Sequence, residues 1–188
     1  MAKAALNSAL ISVRGTIDNW VYRKTTDGLV IARRPEGSQL PRPGQIEARE
    51  QFRAAVAYAK AVQVDPVLGP RYAAAAAASG LRSLPFAVRD FLTPPHVDAI
   101  DATAYHGAIG DVIKVRARDH FEVAGVTLII RGANNAVREQ GAALLGADGL
   151  WHYTATTATP VGTAVKLEAV AMDRPGHTGS RQEPVVVA

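Results

Sequence analysis

Asp111-Val112-Ile113-Lys114-Val115-Arg116-Ala117-Arg118 is the stretch that decides the fold. From Ile113 onward apolar and basic residues alternate strictly. A period of two puts Ile113, Val115 and Ala117 on one face of a strand and Lys114, Arg116 and Arg118 on the other, so one side is buried and one wetted. Runs of the same kind lie on both sides of it, at 97–100 before it and at 123–130, 136–140, 150–156, 164–172 and 184–187 after it. Gly132-Ala133-Asn134-Asn135 supplies one of the turns between them. Seven short strands in about 94 residues, separated by turn residues, predict a two-sheet sandwich.

Upstream, the pattern changes at Pro94-Pro95, which is taken as the boundary between a domain over 1–94 and a sandwich over 95–188. A helix is expected over 45–64, because Phe52, Ala55, Val56, Ala59 and Val62 recur at helical spacing. Glu47 and Glu50 stand near its positive end, Lys60 near its negative end, and Asp65-Pro66 stops it. A second helix over 70–79 carries the alanine run 73–78 and ends at Gly80. Those alanines suit a solvent-facing helix, or a helix whose small side chains let a neighbouring backbone approach closely. Ser83-Leu84-Pro85 opens a third helix that runs through Phe91.

The first forty residues read as strands. A short strand over 13–17 precedes Trp20-Val21-Tyr22-Arg23-Lys24-Thr25-Thr26, and Asp27-Gly28 turns the chain into Leu29-Val30-Ile31-Ala32-Arg33-Arg34. Asp-Gly between two such runs marks a hairpin, since both turn positions need positive φ. A two-residue loop pairs Lys24 with Ile31 and Tyr22 with Arg33. One face then carries Trp20, Tyr22, Leu29 and Ile31 and reads as buried. Residues 35–44, with three prolines and two glycines, read as an extended connector. The expected class is therefore an α+β N-terminal domain, a β-hairpin plus helices, followed by an all-β two-sheet sandwich.

The composition is that of an ordinary globular chain, with 48% hydrophobic and 20% charged residues. No run is long enough to span a bilayer. Residues 4–13 follow Lys3 but are short, contain Asn7 and Ser8, and lead to no small-residue cleavage site, so export by a signal peptide is not expected. The absence of cysteine removes disulfides and thiol chemistry. Charge is uneven: residues 1–94 hold 13 Lys/Arg against 7 Asp/Glu, and residues 95–188 hold 8 against 10. A basic first half attracts an anionic partner or the acidic second half of another copy.

Three features of the C-terminal half resemble bacterial immunoglobulin-like domains. They are Gly110-Asp111 opening a strand, the Trp151-His152-Tyr153 strand, and Ala171-Met172-Asp173-Arg174-Pro175-Gly176 before the last strand. The resemblance implies an immunoglobulin-like sandwich in which the Trp strand supplies a core aromatic and the Asp-containing turn closes the final hairpin. His177 stands where such domains often have Asn. The N-terminal half, with its glycine, aromatic hairpin, basic strand end and apolar helix, resembles uncharacterised bacterial or phage-type structural proteins.

Catalytic motifs are missing: there is no phosphate-binding loop, no Gly-x-Ser-x-Gly elbow and no His-Glu-x-x-His. His96, Asp98, Asp101 and His106 form the nearest metal-like group. Asp98, Asp101, Asp111 and Asp173 sit at strand ends where carboxylates can share calcium, although aspartate is also favoured in turns. No cofactor is expected. The expected function is that of a non-enzymatic, self-assembling subunit of a filament, virion or phage-like particle. Its self-association residues are Leu6, Leu10, Ile11, Val13, Trp20, Tyr22, Arg33 and Arg34. The alternatives are a monomeric adaptor binding a protein or glycan through sandwich loops, and a nucleic-acid binder using Arg23, Lys24, Arg33 and Arg34 around Trp20 and Tyr22.

Overall fold

A computed structural model describes residues 14–25, 28–34 and 42–188. The chain forms two compact units, Met1–Ile46 and Glu47–Ala188. In the first, β1 (Gly15–Ile17), β2 (Trp20–Thr25) and β3 (Gly28–Arg33) make an antiparallel sheet in that order. Asp18, with φ of 51°, turns β1 into β2.

The register of the hairpin differs from the expected one. Gly28 is the first residue of β3 and pairs with Thr25, so Tyr22 faces Ile31, Lys24 faces Leu29 and Trp20 faces Arg33. The end of the ladder is held by Thr25 Oγ1, which donates to the Gly28 carbonyl at 2.9 Å, and Gly28 takes a φ of +124° that suits glycine. The slip is one residue on each strand. Because the two slips add to an even number, the assignment of side chains to faces survives.

Three helices follow along the chain. α1 (Pro43–Val64) starts two residues before the expected position. Proline is tolerated in a first helical turn because its missing N–H needs no partner there, and the Gln45 side chain accepts from the Arg42 N–H at 3.1 Å. Asp65 both follows α1 and starts α2 (Leu68–Ala78): its Oδ1 accepts from the Val67 and Leu68 N–H groups at 2.8 and 2.7 Å. Gly80 at φ +68° ends α2, with the Leu81 N–H returning to the Ala76 carbonyl at 2.9 Å. α3 spans Ser83–Leu92. Ala55, Ala59 and Val62 of α1, Tyr72 and Ala76 of α2, and Phe86, Ala87 and Val88 of α3 bury one another, and Phe121 packs against them.

Seven antiparallel strands follow: β4 (His96–Asp101), β5 (Val112–Arg118), β6 (Val123–Gly132), β7 (Val137–Leu145), β8 (Trp151–Thr154), β9 (Ala164–Asp173) and β10 (Thr178–Val186). Their spatial order is β10-β9-β6-β7-β8-β5-β4. Ile113 and Val115 are fully buried, as the alternation predicts, together with Leu128, Leu167, Ala169 and Ala171. β7 turns the sheet: it pairs with β6 up to Ala143 and with β8 at Leu144 and Leu145. The two outer strands then approach each other, and the Arg181 guanidinium donates to the Asp98 carbonyl at 2.7 Å. The β-rich part is thus nearly closed into a barrel.

Two strands outrun their predicted bounds by several residues, β7 at its end and β10 at its start, and each passes a close contact at a glycine. β7 continues through Gly141, where a side chain would meet the Tyr153 ring at 2.9 Å. β10 begins at Thr178 and crosses the start of β4 at Gly179, where a Cβ would lie 1.8 Å from the Pro95 carbonyl oxygen. A backbone atom cannot be moved aside by a rotamer change, so this crossing tolerates glycine alone. Gly179→Val should force β10 from β4 and cost about 1–3 kcal/mol in urea unfolding, whereas Ser180→Val, at an exposed neighbouring position, should leave the midpoint nearly unchanged.

Candidate interaction surfaces

In the three-stranded sheet no described residue is buried. Ile17, Trp20 and Ile31 are 58%, 49% and 38% exposed. The pairing puts Ile17 across from Trp20, and Trp20 across from Arg33, so these residues share a face with Tyr22, Leu29, Ile31 and Lys24. The face expected to be buried is therefore open. The expected Tyr22–Arg33 pair does not form either, because Ile31 stands opposite Tyr22. A shallow groove of about 390 Å³ is lined by Arg14, Thr16, Val21, Tyr22, Arg23 and Lys24. Arg34 extends the ladder through its N–H to the Asn19 carbonyl at 2.6 Å. Leu6, Leu10, Ile11 and Val13 lie outside the described residues.

A second apolar area lies on the helices. Phe52 and Leu92, 54% and 43% exposed, flank Val56, Leu84, Pro85 and Val88 in an open depression of about 410 Å³. The alanine run divides by face. Ala76 is buried, while Ala73, Ala74, Ala77 and Ala78 are exposed.

The aspartates considered for calcium are each engaged locally. Asp98 takes Arg118 Nε at 2.9 Å and lies 3.0 Å from His96 Nδ1. Asp101 accepts from the N–H and hydroxyl of Thr103 at 3.0 and 2.7 Å. Asp111 accepts from the Ala108 and His106 N–H groups at 2.9 and 2.7 Å, and these bonds hold its carboxyl below the ordinary range. Asp173 takes the His177 N–H at 2.6 Å across the β9–β10 turn, where Gly176 has φ of +95°. Among the described residues, no three His, Asp or Glu side chains are placed to hold a metal.

Two buried carboxyls escaped the sequence reading. One is Asp90 on α3; the other is Glu139, on the inward face of β7. Glu139 Oε1 accepts from the Tyr153 hydroxyl at 2.6 Å and from the Thr156 N–H and hydroxyl at 2.5 and 2.9 Å, and Oε2 accepts from the Thr157 N–H at 3.0 Å. Burial pushes this carboxyl up, but the four hydrogen bonds outweigh it and hold the group below the usual range. The available signal was parity: Glu139 lies in phase with Gly141 and Ala143, which face inward. The Trp strand does supply a core aromatic, and it is Tyr153, while Trp151 is half-buried against the core.

Because Glu139 is charged at a lower pH when folded than when unfolded, its contribution is complete above about pH 4.5 and is lost as the pH falls. Glu139→Gln should lower stability by roughly 2–3 kcal/mol at pH 7. The loss relative to wild type should shrink at pH 3, as measured by urea titration at both values.

No family model matches the chain, and no curated protein does. Among solved structures, CopC from Methylosinus trichosporium OB3b is similar at 17% identity and a TM-score of 0.37, covering 49% of this chain and 91% of that one. A tetra-tandem repeat from the extending region of a large adhesion protein is similar at 20% identity and a TM-score of 0.38. That match covers 51% of this chain and 24% of the repeat structure. An engineered protein is similar at 20% identity and a TM-score of 0.34, with 51% and 20% covered. No helix among the described residues is long and apolar enough to cross a membrane.

Proposed function

We propose that the chain is a non-enzymatic, self-assembling structural subunit of a filament, virion or phage-like particle. Its N-terminal part contacts neighbouring copies. Its β-rich part, read as an immunoglobulin-like sandwich, decorates or locks the assembly. The single observation that supports this reading is a three-stranded sheet with an aromatic face and no buried residue among those described. Three strands become stable in water by burying a hydrophobic face. With Ile17, Trp20 and Ile31 open to solvent, a second copy supplies the missing cover. Residues 4–13 add to this, since an apolar stretch of that length can extend a neighbour's sheet edge through backbone hydrogen bonds.

Full-length protein should run as a multimer in light scattering and form regular assemblies in electron micrographs. Deletion of residues 1–13, or the pair Trp20→Ser and Ile31→Ser, should leave monomers whose β-rich part still folds. Normal assembly by both variants would rule this mechanism out.

One observation favours a second reading. Trp20 is half exposed beside Arg33, a combination that suits stacking of single-stranded nucleic acid. On that reading a monomer should retain oligonucleotides with steep salt dependence, and Arg33→Ala with Arg34→Ala should abolish retention.

A further inference from the structure

Asp90 is fully buried, and it joins all three helices to the β-rich part. Tyr58 on α1 and Tyr72 on α2 are linked through their hydroxyls at 2.8 Å, and Tyr72 Oη donates to Asp90 Oδ2 on α3 at 2.6 Å. The other oxygen, Oδ1, is buried and has no hydrogen-bond partner among the described residues. The connection between β5 and β6 packs on the same side of α3, with His120 stacked on Phe86 and Phe121 against Tyr72 and Phe86, and it carries Asp119, which acts on the Asp90 carboxyl through both charge and a side-chain hydrogen bond. Asp119 Oδ2 accepts from the Phe121 N–H at 3.3 Å, but its Oδ1 is likewise buried without a partner.

Two interacting carboxyls, each with one unsatisfied oxygen, need either a proton or a cation between them. The nearby guanidinium groups are directed elsewhere: Arg71 of α2 and Arg174 of the β9–β10 turn both bind Glu122. Asp173, buried at the end of β9, adds a further negative charge and lies 3.3 Å from His177 Nδ1. His177 in turn packs edge-on against Phe91 of α3 at 4.6 Å. His120 stacks on Phe86 at 4.6 Å, and its Nε2 is buried without a partner.

We propose that Asp90 and Asp119 share one proton, and that this proton latches the three helices onto the β5–β6 connection in a pH-dependent manner. Oδ1 of one carboxyl donates and Oδ1 of the other accepts, so a single proton satisfies both unpaired oxygens. Two neighbouring carboxyls in a buried site cannot both ionise without cost. Burial, opposed by the Tyr72 hydrogen bond and assisted by Asp119 and Asp173, raises Asp90 to about 7.

The sign of the pH dependence follows. A carboxyl whose folded value is raised binds its proton more tightly when folded. Its stabilising contribution is complete below the ordinary value of 3.8 and is lost as the pH rises to about 7. His120 opposes this on the acid side: burial, helped by Arg89, lowers its folded value, so its contribution is lost as the pH falls below 6.5. Comparison of wild type with Asp90→Asn isolates the latch, because His120 is common to both. Asn mimics the protonated acid, donating to Asp119 and accepting from Tyr72 at every pH.

Urea unfolding from pH 5 to 8 should therefore show the folding constant of wild type falling relative to Asp90→Asn, by up to tenfold per pH unit until about pH 7. At pH 8, Asp90→Asn should be the more stable protein. Backbone amides of residues 83–92 should exchange faster in wild type than in the variant. If Asp90→Asn fails to fold, Asp119→Asn carries the same expectation. A wild-type-to-variant difference that stays constant with pH would overturn the latch. So would stabilisation of wild type at pH 8 by 1 mM calcium that Asp90→Asn abolishes, since a cation would then occupy the proton's place.

Discussion

Phe121 is the contact on which the second unit depends. Its ring lies 4.0 Å from Tyr72 and 6.2 Å from Phe86, and the Arg71 guanidinium sits 5.6 Å above it. Tyr72 of α2 and Phe86 of α3 meet edge-on between the two helices, 6.1 Å apart. The Phe121 ring from the β5–β6 connection packs against both, worth about 0.5–1.5 kcal/mol per aromatic pair beyond simple burial. Next to it, Glu122 gathers Arg71 and Arg174, which tie α2 and the β9–β10 turn to the same connection. A four-residue link between two strands thereby joins the helical core, and helices and strands fall in one compact unit.

The small sheet of the first unit shows the opposite economy. Its residues have good strand propensity and a well-formed ladder, yet its apolar side chains cover nothing among the described residues. Propensity and hydrogen bonding alone do not stabilise three strands, because the same backbone groups bond equally well to water. On the proposed reading, association is what covers this aromatic face.

Much of the architecture was legible in local pattern. The seven strands of the β-rich part, the three helices and the hairpin all follow from periodicity and from turn residues, because a strand or helix with one buried side must repeat its apolar residues at the period of its backbone. Two strands run on past their expected bounds at glycines that the structure uses as clearance, Gly141 beneath Tyr153 and Gly179 beside Pro95, because a missing side chain adds nothing to the local pattern that marks a strand. The hairpin slip at Gly28 has a related origin, since a glycine next to an aspartate suits a turn and a strand end equally.

The sequence by itself determined the elements, their approximate order and which side of most strands faces inward, because these depend on neighbours along the chain. The tertiary structure alone decided that Asp90 meets Asp119, that Phe121 enters the helical core, and that Trp20 stays exposed. Such pairings join residues dozens of positions apart. Whether a carboxyl is a solvated turn residue or a buried proton carrier depends on the dielectric and the partners that those distant segments bring to it, and no local spacing encodes them.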